Sequence, residues 1–94
     1  DLGQAGYYNE TGTFVSAEGW KAFVFLCEEN DTFTLYGTGF KDIITFWNGS
    51  TFVGYSQDNP VTIPSGVTSI RICGYNTTAD NKVYQNEEIY STIR

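Results

Sequence analysis

The run IITFWNGSTFVGYS, Ile43 to Ser56, holds two β-favouring segments joined by Asn48-Gly49. That dipeptide is the strongest short-range signal for a tight hairpin, because the favoured two-residue turn needs positive φ at both positions. The alternation within IITFW puts Ile44 and Phe46 on one face and Ile43, Thr45 and Trp47 on the other, with Trp47 beside the turn. A chain committed to this hairpin has to supply further strands to cover its apolar face, and the rest of the sequence reads as a source of them.

GYYNETGTFVS carries two β-favouring runs around Asn9-Glu10-Thr11-Gly12, a loop in which Gly12 supplies positive φ. WKAFVFLCE, Trp20 to Glu28, is a nearly unbroken apolar run that fits a central strand covered on both faces. After the acidic turn, TFTLYG alternates, with Phe33 and Leu35 facing one way and Thr32, Thr34 and Tyr36 the other. Val61-Thr62-Ile63 reads as a short edge strand and Pro64-Ser65-Gly66 as a turn. In TSIRICGYN, Ile70 and Ile72 share one face, and Arg71, Cys73 and Tyr75 the other. Asn76 to Lys82 reads as a polar loop, and Val83 to Ile93 as a last strand or a pairing tail. No segment has a helical period. Strands spaced 8 to 12 residues apart with turns between them predict one all-β domain over 1–94, an antiparallel β-sandwich of about eight strands.

Composition agrees with this and narrows the function. The chain has 94 residues, enough for one small core. Its apolar content is carried by Phe, Tyr, Val and Ile rather than Leu and Ala, with seven Phe, seven Tyr and two Trp. A net charge of −6 argues against nucleic acid or an anionic membrane surface, which need clustered Lys and Arg. No apolar run approaches the roughly 20 residues of a membrane-spanning helix, and no basic-then-apolar signal segment opens the chain. It begins at Asp1 and contains no Met, which suggests a processed protein or a domain cut from a longer one, although a removed initiator Met would look the same.

Histidine is absent, which removes the commonest general base and zinc ligand, and two cysteines cannot close a zinc site. Glu28, Glu29 and Asp31 are neighbours in a turn, where carboxylates point apart into water rather than into a cleft, so no enzyme is expected. Asp31, Asp42, Asp58 and Asp80 fall in predicted loops and are weak candidates for calcium, and no other cofactor is expected. The competing reading is that acidic loops keep a domain soluble. Cys27 and Cys73 could form one disulfide, but free structural thiols are the preferred reading. Asn9, Asn30, Asn48 and Asn76 open Asn-X-Ser/Thr sequons, glycan acceptors in a secreted eukaryotic protein, but the preferred reading is that such pairs are what turns are made of.

Phe14, Phe25, Phe33, Phe46 and Phe52 are expected to fill the core. Trp20, Tyr36, Trp47, Tyr55 and Tyr75 lie near turns or opposite the core face, so they are candidate ligand-binding rings, whether for the C–H face of a sugar or for a protein partner, the alternative being rings that merely close the end of the sandwich. Arg71, on the outer face, is expected to lay its stem along apolar surface. Its guanidinium would stack on Tyr or Trp and bond a carboxylate such as Asp42 or Glu18. In a functional reading, Arg71 and Trp47 together hold a glycan or an acidic partner residue.

YYNETGTFVS, FVFLCEENDTFTLYG, IITFWNGSTFVGYS and VTIPSGVTSIRICGYN, in this order over roughly Tyr7 to Asn76, resemble the small jelly-roll-like β-sandwich modules of bacteriophage tail, fibre and baseplate proteins and of gut-bacterial surface proteins. Asn48 stands where such hairpins often carry Asp, and Cys73 where a small polar residue is more usual. The resemblance implies a non-catalytic attachment or carbohydrate-binding module of a virion or extracellular protein, with a surface glycan or other virion proteins as partners. The alternatives are a structural docking domain, presenting Phe23, Val24 and Leu26 to another subunit of a homo-oligomer, and an accessory domain of a glycan-active enzyme.

Overall fold

The computed structural model describes residues 4–75, 81–86 and 88–93, the last group in backbone only. It contains no helix among these residues. The strands are β1 (Ala5–Tyr8), β2 (Phe14–Leu26), β3 (Thr32–Tyr36), β4 (Ile44–Asn48), β5 (Thr51–Ser56), β6 (Val61–Thr62), β7 (Ser69–Tyr75), β8 (Asn81–Gln85) and β9 (Glu88–Ile93). They form two antiparallel sheets, ordered β1-β2-β7-β4-β5 and β6-β3-β8-β9. This is the all-β sandwich expected from the strand spacing.

Period-2 alternation builds the core. Phe25, Ile44, Phe46, Ile70 and Ile72 project from the first sheet, and Phe33, Val61 and Val83 from the second. Ile63 and Val67 close the space from the loop between β6 and β7. Burying these side chains is the main stabilising term, at about 1.5–3 kcal/mol for each large one. Asn48 and Gly49 turn β4 into β5 as expected, with Gly49 at φ 60°. Asn30 and Asn86 take positive φ at the turns that lead into β3 and out of β8.

Three expectations change. The Trp20–Glu28 run is not covered on both faces: it ends a 13-residue strand whose outward Val24 and Leu26 are exposed, Leu26 at 72%. Phe23, expected on the apolar outer face, packs against the core instead. Phe14 and Phe52 lie outside the core, because a second apolar layer forms on the far side of the first sheet.

That layer is made by the first hairpin. β2 bends at residues 17–20, where the register against β1 jumps from Gly6↔Ser16 to Ala5↔Lys21 and Gly19 adopts φ 86°. The bend lays β1 and its turn over the outer face of β7, β4 and β5. The Tyr8 ring reaches Trp47 at 5.4 Å, and Gly12 at the hairpin tip sits so close to Phe52 that a Cβ there would lie 2.4 Å from its ring. Asn9 shapes the tip by accepting hydrogen bonds from Thr11 N, Thr11 Oγ1 and Thr13 N. Ala22 and Cys73, paired beneath this strap, are buried although both face outward.

Candidate functional site

The expected ring candidates separate into four places. Under the strap, Trp47 is only 6% exposed. Its Nε1–H donates to the buried Thr45 hydroxyl at 2.8 Å, and its ring meets Tyr8 and Phe52 edge-on at 5.4 and 5.5 Å. Arg71 stacks on it, with Cζ 3.7 Å from the Trp47 centroid and 4.8 Å from that of Tyr8. The expected stacking is present, but the expected carboxylate is not. Asp42 lies in another part of the surface with Gln57 Nε2 at 3.4 Å, and no described residue forms an ion pair or hydrogen bond with the guanidinium. With its ring enclosed on all these sides, Trp47 has no face left for a sugar.

Trp20 and Tyr75 form a second group at the other end of the strap, 5.2 Å apart, with Tyr7 edge-on to Trp20 at 5.6 Å. Lys41 Nζ lies over Tyr7 at 4.3 Å, so these half-buried rings are engaged with one another and with a cation. Tyr55 stands apart from both groups, 48% exposed on edge strand β5 opposite Thr45.

Tyr36 occupies a different surface, the outer face of the second sheet. It is 58% exposed and meets Tyr84 edge-to-face at 5.2 Å with an interplanar angle of 81°. The register explains the pair. Thr34 lies opposite Tyr84 and Tyr36 opposite Lys82, so the two tyrosines are diagonal neighbours on one face, within reach of each other's rings. With Thr34 and Pro60 they line a shallow depression of about 500 Å³. Its Pro60 wall is pinned by Asn59, whose side chain accepts from Leu35 N at 2.9 Å and donates to Leu35 O at 2.8 Å. This amide takes the place of the next rung after the Phe33↔Val61 pair of β3 and β6. Tyr84 was not among the expected residues. The signal was present in NKVYQ, where Lys82 and Tyr84 alternate with Asn81 and Val83, but Asn81 and Lys82 read as part of a loop.

Of the described carboxylates proposed for calcium, Asp31 lies apart from Asp42 and Asp58. Asp31 accepts from Glu28 N, Gln85 Nε2 and Asn86 Nδ2 at 2.9–3.0 Å, and these bonds, led by that of Asn86, hold its carboxyl below the usual range. Its oxygens are committed to closing the turn before β3 onto the end of β8. Asp42 and Asp58 share a cavity of about 200 Å³ with Lys41, Gln57 and Asn59. Among the described residues no three acidic or cysteine side chains come together as a metal site. Asp80 and Asn76 lie outside the described residues.

Both cysteines are free. Burial, with the Asp31 charge adding to it, pushes the Cys27 thiol up to about 11, and burial also raises that of Cys73. Neither is a nucleophile at neutral pH. Comparison with protein-family models, with curated proteins and with solved structures finds no match to this chain.

Proposed function

We propose that this domain is a non-catalytic carbohydrate-binding attachment module, of the kind carried by virion and cell-surface proteins, with Tyr36 and Tyr84 as its stacking platform. The observation that carries the reading is this tyrosine pair: one ring is more than half exposed and both line an open depression. A tyrosine presents an apolar ring to a sugar's C–H face and a hydroxyl to its rim. Thr34 and Lys82, the cross-strand partners of Tyr84 and Tyr36, supply polar groups on the same face. The rigid sheet and the Asn59 clamp fix the spacing before any ligand arrives, which lowers the ordering cost of binding.

The test is a glycan-array screen of the domain, with and without calcium, repeated with Tyr36→Ala and Tyr84→Ala. Tyr36 is exposed, so its removal leaves the core intact. Binding that disappears in both variants is the expected outcome. Unchanged binding in both refutes the platform, and no binding by the wild type refutes the reading. A second reading, docking onto another subunit, is favoured by the exposure of Val24, Leu26, Val53 and Tyr55 on the first sheet. A stable oligomer of the isolated domain, broken by Leu26→Lys, would establish it.

A further inference from the structure

Arg71 is held in a way that the fold alone does not account for. Its Nε is sealed from solvent with no acceptor, no described residue bonds the remaining guanidinium nitrogens, and the residue as a whole is only half-buried. An arginine keeps its charge at any physiological pH, and a buried donor of a charged group left unpaired is costly. Stacking on Trp47 and Tyr8 offsets part of that cost and fixes the plane of the group. The result is a pre-oriented fork whose Nε edge is closed and whose other nitrogens are bonded by no described residue.

We propose that Arg71 is an anion-binding site that takes a carboxylate. A carboxylate matches the planar fork through two parallel N–H···O bonds. Arg71 is the cation stacked on Trp47 and Tyr8, while Lys41 Nζ sits over the Tyr7 and Trp20 rings, and the protein's net charge of −6 disfavours a dianion such as phosphate. Val24 and Tyr55, both partly exposed, lie in the same cross-strand row on either side, in the order Val24–Arg71–Thr45–Tyr55. They give the ligand an apolar flank and a phenol edge. The carboxylate can belong to an acidic sugar or to a peptide, and the recognising chemistry is the same. This site is on the opposite sheet from the tyrosine platform and stands or falls independently of it.

The buried Nε–H exchanges slowly with water and is therefore observable by NMR. In ¹H–¹⁵N spectra of the labelled domain, sodium acetate, glucuronate and N-acetylglycine are titrated separately, with glucose and inorganic phosphate as controls. The expected result is a saturable shift of the Arg71 Nε–H and Trp47 Nε1–H signals with the carboxylates and none with glucose. The tighter of glucuronate and N-acetylglycine identifies the source. Arg71→Lys keeps the charge but loses the fork, and is expected to weaken binding about tenfold, whereas Ser65→Ala, in the exposed turn before β7, leaves it unchanged. Failure of every carboxylate to shift the wild-type signals saturably, tighter binding of phosphate, or unaltered binding by Arg71→Met would overturn the proposal. The wild-type titration alone decides it should either Arg71 variant fail to fold.

Discussion

Trp47→Ala separates a tryptophan that presents its ring to a ligand from one that holds the strap to the sheet. An exposed stacking ring could be removed with little change in stability. In the structure the ring is 6% exposed, touches Tyr8, Phe52 and Arg71, and donates to Thr45, itself fully buried. Truncating a buried aromatic costs about 3–5 kcal/mol. That range already contains the orphaned Thr45 hydroxyl and the lost cation–π contact, and water entering the space left by the ring offsets part of it. A net loss of about 4 kcal/mol is expected, a large share of the roughly 5–15 kcal/mol that a single domain commands. At about 4–8 °C per kcal/mol for a domain of this size, the melting temperature should fall by about 15–30 °C. Urea unfolding followed by circular dichroism measures the change, with an unaltered m value if only the folded state is affected. Trp47→Phe, which keeps a ring but loses the indole N–H, should lie between the two proteins. A Trp47→Ala variant within about 0.5 kcal/mol of wild type, the range of a neutral surface change, would refute the buried placement and the strap built on it.

Gly12→Ala should destabilise the strap in particular, because φ 76° is strained for any side chain and the new methyl would meet the Phe52 ring. A loss of about 1–2 kcal/mol and a red shift of tryptophan emission are expected, and unchanged emission would count against the strap packing on Phe52. Asp31 has a lowered carboxyl pKa, so its contribution is full above the unfolded value near 4 and is lost as pH falls through the folded one. Asp31→Asn should therefore reduce stability at pH 7 and flatten the loss seen below about pH 4, read from urea midpoints across pH. Cys27, with its thiol raised from 9.0 to about 11, should react with iodoacetamide at pH 8 about a hundredfold more slowly than a free thiol with the unshifted value, and at the ordinary rate once urea unfolds the chain. Rapid alkylation of the folded protein, read by mass spectrometry, would contradict this.

The parts of the fold that follow from local rules could be read from the chain. Alternation assigned Ile70 and Ile72 to the core and Arg71, Cys73 and Tyr75 to the outer face, and Asn48-Gly49 located its hairpin, because both are set by backbone geometry within a few residues. The Val83–Ile93 segment became a hairpin, β8 and β9, around Asn86, a turn that no Gly or Pro marks. Its positive φ is supported by a tertiary bond, Asn86 Nδ2 to Asp31, with a partner 55 residues away. A contact of that range leaves no local signature.

The candidate sites show the same division. Period-2 patterning states which side chains share a face of a strand, but not what lies over that face. Trp47 and Arg71 were placed correctly on the outer side of β4 and β7, and an outer side is solvated unless something crosses it. What crosses it is the Tyr7–Ser16 hairpin, turned back by four extra residues in β2 at a glycine. The apolar outward positions at the Trp20 end of the long run, read as evidence for a doubly covered strand, record that crossing: Ala22 is sealed beneath the strap, while Val24 and Leu26, beyond it, are exposed. The second sheet has no such cover among the described residues, so the same alternation that misleads at Trp47 holds at Tyr36. The outward rings there remain free to meet a ligand, and only the loop-like reading of Asn81 and Lys82 concealed Tyr84 as the partner.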